Sequence, residues 1–140
     1  MCAVRLSDDL KKPIGEPKLL FTASEAKWVR TNDPRIINGK ACMITDGPFL
    51  IKNEGTLYMT WSSAGENGYA VGVAKSENGS LFGPWTQINE PLFKNDGGHG
   101  MFFKTFEGKN LFVIHCPNCN PHERPTFFEY EIKDGKIELK

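Results

Sequence analysis

A chain of 140 residues is long enough for one ordinary domain with a buried core. Lys plus Arg and Asp plus Glu balance at 17 each, so no overall charge draws the protein toward nucleic acid or an anionic membrane. No apolar run has the length of a membrane span, and the first residues lack the basic and then apolar pattern of a signal peptide. We therefore expect no nucleic-acid partner and no membrane partner, and the cellular location stays open.

The composition favours β structure. The 14 glycines and 9 prolines interrupt the chain at short intervals, which leaves few windows long enough for a helix. The 10 phenylalanines, 3 tryptophans and 3 tyrosines are residues that half-buried strands favour. An all-β fold is predicted.

The predicted elements follow the chain in units that share one strand order. Residues 1–21 carry two alternating segments, predicted as the last strands of one unit. Residues 22–44 form a long link. Residues 45–93 predict a meander of four antiparallel strands with Gly-containing turns between them, and residues 98–140 repeat it. In this alignment His99-Gly100 falls on Asp46-Gly47.

A period of about 50 residues with four strands per unit is typical of β-propeller blades. The alternative is a sandwich or jelly roll, in which hairpins also recur. The matching side chains favour a propeller with about two and a half blades. Propellers close with about four to eight blades, so the chain is interpreted as a fragment, and either a missing N-terminal half or self-association is expected.

The functional residues are expected where inner strands begin. Asp46 and His99 start the innermost strands of adjacent blades, so both side chains should face one central funnel. The long link should cross the mouth of this funnel with Glu25, Trp28 and Arg30. Trp offers a flat apolar face and charged groups strong hydrogen bonds, which suits a polyhydroxylated ligand. The alternative is a link that only caps the core, with Trp28 as its anchor.

Several stretches resemble glycoside hydrolases of family 43 across nearly the whole chain: Thr45-Asp46-Gly47-Pro48-Phe49-Leu50, Leu57-Tyr58-Met59-Thr60-Trp61-Ser62-Ser63, Tyr69-Ala70-Val71-Gly72 and Asp96-Gly97-Gly98-His99-Gly100-Met101. The resemblance implies the C-terminal part of a five-bladed propeller. It also implies an inverting hydrolase whose carbohydrate partner is arabinan, arabinoxylan or a xylo-oligosaccharide. Such enzymes use a carboxylate base, a carboxylic general acid and a third carboxylate that tunes the acid.

The resemblance places Asp46 at the general-acid position, which is normally Glu. Asp is one methylene shorter and has a slightly lower unperturbed pKa, so its proton delivery needs a different reach. Either Asp46 serves as the acid, or the acid comes from elsewhere, with Glu25 as the nearest candidate. A structural role for Asp46, satisfying backbone donors at the start of a strand, is the alternative.

His99 matches a histidine that helps to hold a cation, usually calcium, at the propeller centre, although the chemistry itself requires no cofactor. A neutral imidazole is an unusual calcium ligand, so a hydrogen-bonded structural His99 is the alternative. Residues 115–122 have the Cys-x-x-Cys spacing of a zinc loop, but two such cysteines are weak evidence and we expect no zinc. The residues expected to contact substrate are Trp28, Phe49, Trp61, His115 and Arg124.

Two rival functions remain open at this point. One is a non-catalytic carbohydrate-binding propeller that has lost the acid, which the missing Glu at position 46 favours. The other is a propeller interaction domain whose aromatic residues serve only the core. The family's base and tuning carboxylate come from earlier blades, so the 140-residue chain alone is predicted to be inactive.

Overall fold

The computed structural model describes residues 1–32 and 34–140, and these residues form an all-β structure. Their strands lie in two hairpins and two four-stranded antiparallel sheets. No helix in the described ranges is both long and apolar enough to cross a membrane. The predicted fold class, with its four-stranded antiparallel sheets, is confirmed.

The two hairpins lie in the first third of the chain: β1 (Cys2–Leu6) with β2 (Pro13–Leu19), and β3 (Arg35–Ile37) with β4 (Lys40–Cys42). A 3-10 turn, Ala23–Glu25, lies between them. This turn and the second hairpin fall in residues 22–44, where the sequence pattern predicts only an irregular link. The link is therefore more ordered than its composition indicates.

Each four-stranded sheet is a simple meander in which every strand pairs with the next along the chain. The central sheet consists of β5 (Asp46–Asn53), β6 (Thr56–Gly65), β7 (Gly68–Ser76) and β8 (Thr86–Gln87). The last sheet consists of β9 (Gly98–Lys104), β10 (Asn110–Cys116), β11 (Arg124–Lys133) and β12 (Lys136–Leu139). In both meanders the first and third strands start at the end of the sheet where the second strand finishes.

Three connections between neighbouring strands are two-residue loops that end in glycine. These loops are Asn38-Gly39, Glu54-Gly55 and Asp134-Gly135, and both residues of each loop have a positive φ, between 48° and 87°. Type I′ turns require a positive φ at both central positions, and their twist matches that of the flanking strands. The turn residues thus fix the register of β3 with β4, β5 with β6, and β11 with β12.

The central sheet is covered on both faces. On one face Met59, Trp61 and Ala70 pack against Phe21 and Trp28, which precede the sheet in the chain. Trp61 is 0% exposed, and its ring lies 5.4 Å from that of Phe21 and 4.8 Å from that of Trp28. A fully buried side chain of this size contributes about 1.5–3 kcal/mol of transfer free energy.

The opposite face of the central sheet packs against the last sheet. Phe49 of β5 contacts Phe102 of β9 with ring centroids 6.1 Å apart, and Val71, Phe112 and Ile114 complete the buried centre of this interface. The sheet-on-sheet contact brings the beginnings of β5 and β9 together. A cavity opens beside this contact.

Candidate functional site

A cavity of about 700 Å³ opens where the central sheet, the last sheet and the link 22–44 meet. The beginning of β5, the end of β6 and the beginning of β7 form one wall, because these segments share one end of the meander. The link contributes Arg30, Met43 and Ile44 to a second wall. The remaining polar lining comes from Asp46, Ser63, Tyr69, Asp96, His115 and Asn118.

Asp46 is the first residue of β5, and its side chain is 47% exposed. Its Oδ1 accepts the backbone N–H of Gly47 at 2.8 Å, and its Oδ2 accepts the hydroxyl of Tyr69 at 2.8 Å. The Tyr69 hydrogen bond has the largest effect and lowers the pKa of the Asp46 carboxyl below its ordinary value. Partial burial raises this pKa, while the Gly47 N–H and His99 lower it further. The net direction favours the ionised carboxylate.

His99, the second residue of β9, stands beside Asp46. Its Nδ1 lies 3.5 Å from Asp46 Oδ2, and its backbone N–H donates to Ser62 Oγ at 2.9 Å. Gly47 makes this approach possible, since a Cβ at position 47 would lie 2.8 Å from the His99 ring. The two residues that the repeat alignment places at equivalent positions are thus neighbours in space.

The cation predicted at His99 has few candidate protein ligands in the described part of the chain. Calcium takes six to eight oxygen ligands, whereas among the described residues the carboxylate oxygen in contact with the His99 ring is Asp46 Oδ2. In residues 1–32 and 34–140, no three His, Cys, Asp or Glu side chains converge as metal ligands would. A cation at His99 therefore stays a prediction.

A second group of side chains surrounds Tyr69 next to Asp46. The ring of His115 stacks on that of Tyr69 with centroids 5.6 Å apart and planes 16° apart. Asn118 Oδ1 lies 2.9 Å from His115 Nε2. Asp96 joins both sheets, because its Oδ1 accepts the backbone N–H of Tyr69 at 3.2 Å and its Oδ2 that of Asn118 at 3.3 Å.

The sequence of the chain matches a known family. The sequence model of the glycosyl hydrolases family 43 matches residues 1–136. The chain belongs to this family. Comparison with curated protein sequences finds no significant match.

Solved structures of family 43 proteins are also similar to the chain. The endo-arabinase from Bacteroides thetaiotaomicron VPI-5482 shares 42% identity with a TM-score of 0.86, over 96% of this chain and 47% of that one. A thermostable family-43 glycoside hydrolase shares 25% identity with a TM-score of 0.80, over 99% and 46% of the two chains. The chain spans about half the length of these two solved structures.

The Cellvibrio cellulosa alpha-L-arabinanase, solved with arabinohexaose, shares only 16% identity with a TM-score of 0.62, over 96% of this chain and 48% of that one. This likeness shows the fold alone. Taken with the two structures above, it supports the propeller arrangement of the sheets. The resemblance read from the sequence motifs is confirmed by the family match and by the endo-arabinase at 42% identity.

The structure places the other predicted site residues of this family 43 chain in different surroundings. His115 lines the cavity. Trp61 is enclosed in the core, so its expected contact with substrate is not available in this arrangement. Trp28 is 9% exposed and packs on Trp61 and on the backbone of Gly72, which describes a core anchor better than an open sugar platform. Phe49 is part of the interface between the two sheets.

The described contacts of Glu25 and Arg124 are with residues other than Asp46. Glu25 is exposed and accepts the Thr22 N–H at 2.7 Å in a capping box, so its carboxylate holds the 3-10 turn. It is not among the residues that line the cavity. Arg124 is exposed and donates through Nη1 to the carbonyls of Pro121 at 3.1 Å and Glu123 at 2.7 Å, within its own loop. The contacts of neither residue indicate the chemistry predicted for it.

Sequence reasoning missed Tyr69 and Asp96 as residues of the site. Both residues lie within stretches that resemble family 43, but no role in the site is predicted for either of them. The signal was present in the meander itself, because the third strand of each unit begins at the same end of the sheet as the first. Tyr69 follows Gly68 at the start of β7 and therefore lies near Asp46 at the start of β5.

Proposed function

We propose that the chain is part of an inverting family 43 glycosidase that hydrolyses arabinose-containing polysaccharides, with Asp46 at the general-acid position. The observation that carries the proposal is the placement of Asp46 on the wall of a cavity of about 700 Å³, in a chain 42% identical to an endo-arabinase. Xylose-containing substrates are the second choice, because the more similar of the compared structures is the endo-arabinase.

Inverting hydrolysis needs two carboxyl groups about 6.5–9.5 Å apart, one as acid and one as the base that activates water. Among the described residues, Asp46 and Asp96 are the carboxylates that line the cavity. Both oxygens of Asp96 accept backbone N–H groups, so Asp96 is a structural residue and not a free base. The proposal therefore takes the base from the part of the propeller that this chain does not span.

The protonation of Asp46 sets a second requirement. A general acid must carry a proton at the working pH, and its pKa should lie near that pH. The Tyr69 hydroxyl and the Gly47 N–H instead lower the pKa of Asp46. A further carboxylate close to Asp46 raises its pKa by like-charge repulsion. In the proposed enzyme the tuning carboxylate of the family, also contributed by another blade, has this role.

A carbohydrate-binding propeller without catalysis is the second candidate. The lowered pKa and shorter side chain of Asp46 favour it, because an ionised carboxylate accepts hydrogen bonds from sugar hydroxyls and has no proton to deliver. The two candidates differ in one measurable respect: the enzyme converts arabinan, whereas the binding protein holds it unchanged.

The proposed partner within the propeller is a further blade on the free face of the last sheet. Met101, Phe103, Val113 and Phe127 share this face, where β9, β10 and β11 are in register. Phe127 is 55% exposed, although its ring contacts Phe103. The opposite face of the same sheet already packs against the central sheet. A second sheet-on-sheet contact of the same kind would cover the free face, and self-association of the chain is the alternative.

The test compares the 140-residue chain with a larger polypeptide. The larger polypeptide also contains blades equivalent to the part of the endo-arabinase that this chain does not cover. The larger protein should convert arabinan and give products of inverted anomeric configuration by NMR. The chain alone should show no turnover, because loss of an acid–base partner removes about two to four orders of magnitude in rate. Asp46→Asn should abolish activity in the larger protein.

Two results would contradict the proposal. Turnover by the purified chain alone that Asp46→Asn abolishes would mean that the catalytic groups lie within these residues. Tight binding of arabino-oligosaccharides by the larger protein without any hydrolysis would favour the carbohydrate-binding candidate.

A further inference from the structure

Tyr69 supplies the hydrogen bond that links Asp46 to a different strand. Of the two Asp46 oxygens, Oδ1 is bonded by the N–H of the next residue, Gly47, and Oδ2 by the hydroxyl of Tyr69 at 2.8 Å. The Gly47 contact moves with Asp46 itself, since the two residues are adjacent. The Tyr69 contact comes from β7, at a sequence separation of 23 residues, and therefore defines where the carboxylate points relative to the sheet.

The ring of Tyr69 is itself held from several sides. It stacks on His115, and the backbone of Gly98 lies against its edge, where an added Cβ would be 2.5 Å from Cε1. The backbone of Tyr69 is bonded at both groups: its N–H donates to Asp96 Oδ1 at 3.2 Å, and its carbonyl accepts the N–H of Gly97 at 2.9 Å. The hydroxyl is thus placed by a rigid surrounding.

The contacts continue into the last sheet and return to their start. His115 Nε2 lies 2.9 Å from Asn118 Oδ1, and the N–H of Asn118 donates to the carbonyl of Asp96 at 2.9 Å and to its Oδ2 at 3.3 Å. Because Asp96 also accepts the N–H of Tyr69, the residues Tyr69, His115, Asn118 and Asp96 form a closed ring of contacts. This ring connects both sheets behind the Asp46 carboxylate.

We propose that Tyr69 is the positioning residue for Asp46, and that Gly98 and His115 hold the Tyr69 ring in the orientation this requires. The inference rests on the proposed glycosidase function of the same cavity. Its physical reason is the short side chain of Asp46, which must reach the glycosidic oxygen with one methylene fewer than Glu. A displacement of about 1 Å at a reacting group costs about 100-fold in rate, so the orientation of a short acid has a large effect.

The experiment removes the hydroxyl alone. In the larger propeller protein, Tyr69→Phe should lower kcat on arabinan about 10- to 100-fold with KM changed less than about 2-fold. On an aryl arabinoside whose leaving group departs without a proton, the loss should be less than about 3-fold, because proton delivery is then not limiting. A purely structural role for Tyr69 would affect both substrates alike.

A second variant and a matched control complete the design. Gly98→Ala places a methyl group against the Tyr69 ring and should reproduce the difference between the two substrates. Tyr130→Phe removes a hydroxyl from the core of the last sheet, away from the cavity, and should leave both rates unchanged. Crystal structures of the 140-residue chain should show Asp46 in a different rotamer in Tyr69→Phe than in wild type.

The outcomes separate this inference from the proposed function. If Asp46→Asn abolishes hydrolysis while Tyr69→Phe leaves kcat on arabinan unchanged, the positioning role is overturned and the glycosidase function stands. If Tyr69→Phe lowers the rate equally on both substrates, or leaves the Asp46 rotamer unchanged, the positioning role is also overturned. If Asp46→Asn retains full hydrolysis of arabinan, the assignment of Asp46, and with it the proposed function, is wrong.

Discussion

The central sheet and the last sheet have the same strand order but differ in how they are covered. In the central sheet β6 is buried without interruption from Tyr58 to Ser63, because the last sheet packs on one face and the residues preceding the sheet on the other. In the last sheet, buried and less buried residues alternate along β9 from Gly98 to Phe103, and Met101 and Phe103 lie on the free face.

The difference shows that burial in a propeller depends on the position of a blade and not on its topology. The central sheet lies between two neighbours and has apolar or small residues on both faces. The last sheet has one neighbour, so one of its faces is buried and the other is exposed. On β11 the run Phe127-Phe128-Glu129-Tyr130-Glu131 places Phe128 and Tyr130 in the core and Glu129 and Glu131 outward. Phe127 is an apolar residue on this outward side of β11, and together with Met101, Phe103 and Val113 it marks the face on which we propose a further blade.

The largest difference between the sheets should appear when a large side chain is removed from each. Trp61→Ala in the central sheet should reduce the free energy of unfolding by about 4 kcal/mol, because the side chain is fully enclosed and leaves a cavity. Phe127→Ala in the last sheet should cost less than about 1 kcal/mol, because the ring is more than half exposed. Urea unfolding followed by circular dichroism measures both values.

If Trp61→Ala does not fold, Trp61→Phe gives a smaller loss that can still be measured. Equal losses for the Trp61 and Phe127 variants would mean that the free face of the last sheet is covered in solution.

A second prediction concerns a feature that the two sheets share. Each sheet has a glycine covered by an aromatic ring: a Cβ at Gly72 would lie 2.2 Å from Trp28 Cζ2, and one at Gly100 would lie 2.3 Å from Phe112 Cζ. Alanine at either position should therefore cost about 1–3 kcal/mol through overpacking. For Gly72→Ala the loss should shrink by more than half in a Trp28→Ala background, which a double-mutant cycle tests.

If the Gly72→Ala loss is the same with and without Trp28, the cost arises from the backbone and not from the ring. Gly100 would then be the one of these two glycines at which an aromatic ring causes the loss.

The third prediction addresses the free face directly. Phe127→Lys should weaken the binding of the remaining blades to the chain at least about tenfold, equal to about 1.4 kcal/mol, since it places a charge in a proposed apolar contact. Leu10→Lys is the control, because Leu10 is also an exposed apolar residue but lies in the turn after β1. Sedimentation velocity or titration calorimetry measures the affinity. Equal effects of the two substitutions would exclude the free face as the docking surface.

The smallest expected effect is that of Arg124→Ala. The Arg124 side chain is exposed, and within the described residues it donates hydrogen bonds to carbonyls of its own loop. Its loss should change the free energy of unfolding by less than about 0.5 kcal/mol, as judged by the thermal midpoint. A larger change would indicate that this loop takes part in the stability of the last sheet, which its exposed position does not predict.

The strands of the two large sheets could be predicted from the sequence because local patterns determine them. Apolar residues in strand-length runs, separated by turns such as Glu54-Gly55, define each meander. The hairpin β3–β4 was missed although Asn38-Gly39 is a strong turn signal. Its two isoleucines, Ile36 and Ile37, are both exposed, so the segment has no apolar alternation from which a strand could be inferred.

The candidate site was predictable where it follows from the repeat and unpredictable where it depends on packing. Asp46 and His99 occupy equivalent positions in two units, so their proximity follows from the alignment. The burial of Trp28 and Trp61 does not, because it depends on how the link folds back over the central sheet. The Tyr69 contact depends in addition on Gly98, whose missing side chain leaves space for the ring.

The outer edges of the two sheets have a consequence for how the protein avoids aggregation. An exposed edge strand offers unpaired backbone groups to any other chain, and long, flat edges promote fibril-like pairing. Here the outermost strand of the central sheet is only two residues long, and that of the last sheet has four residues, of which Lys136 and Glu138 are charged. Such short edges provide little template for strand addition. Contacts with other chains are thereby directed to the faces of the sheets, where side-chain complementarity selects the partner.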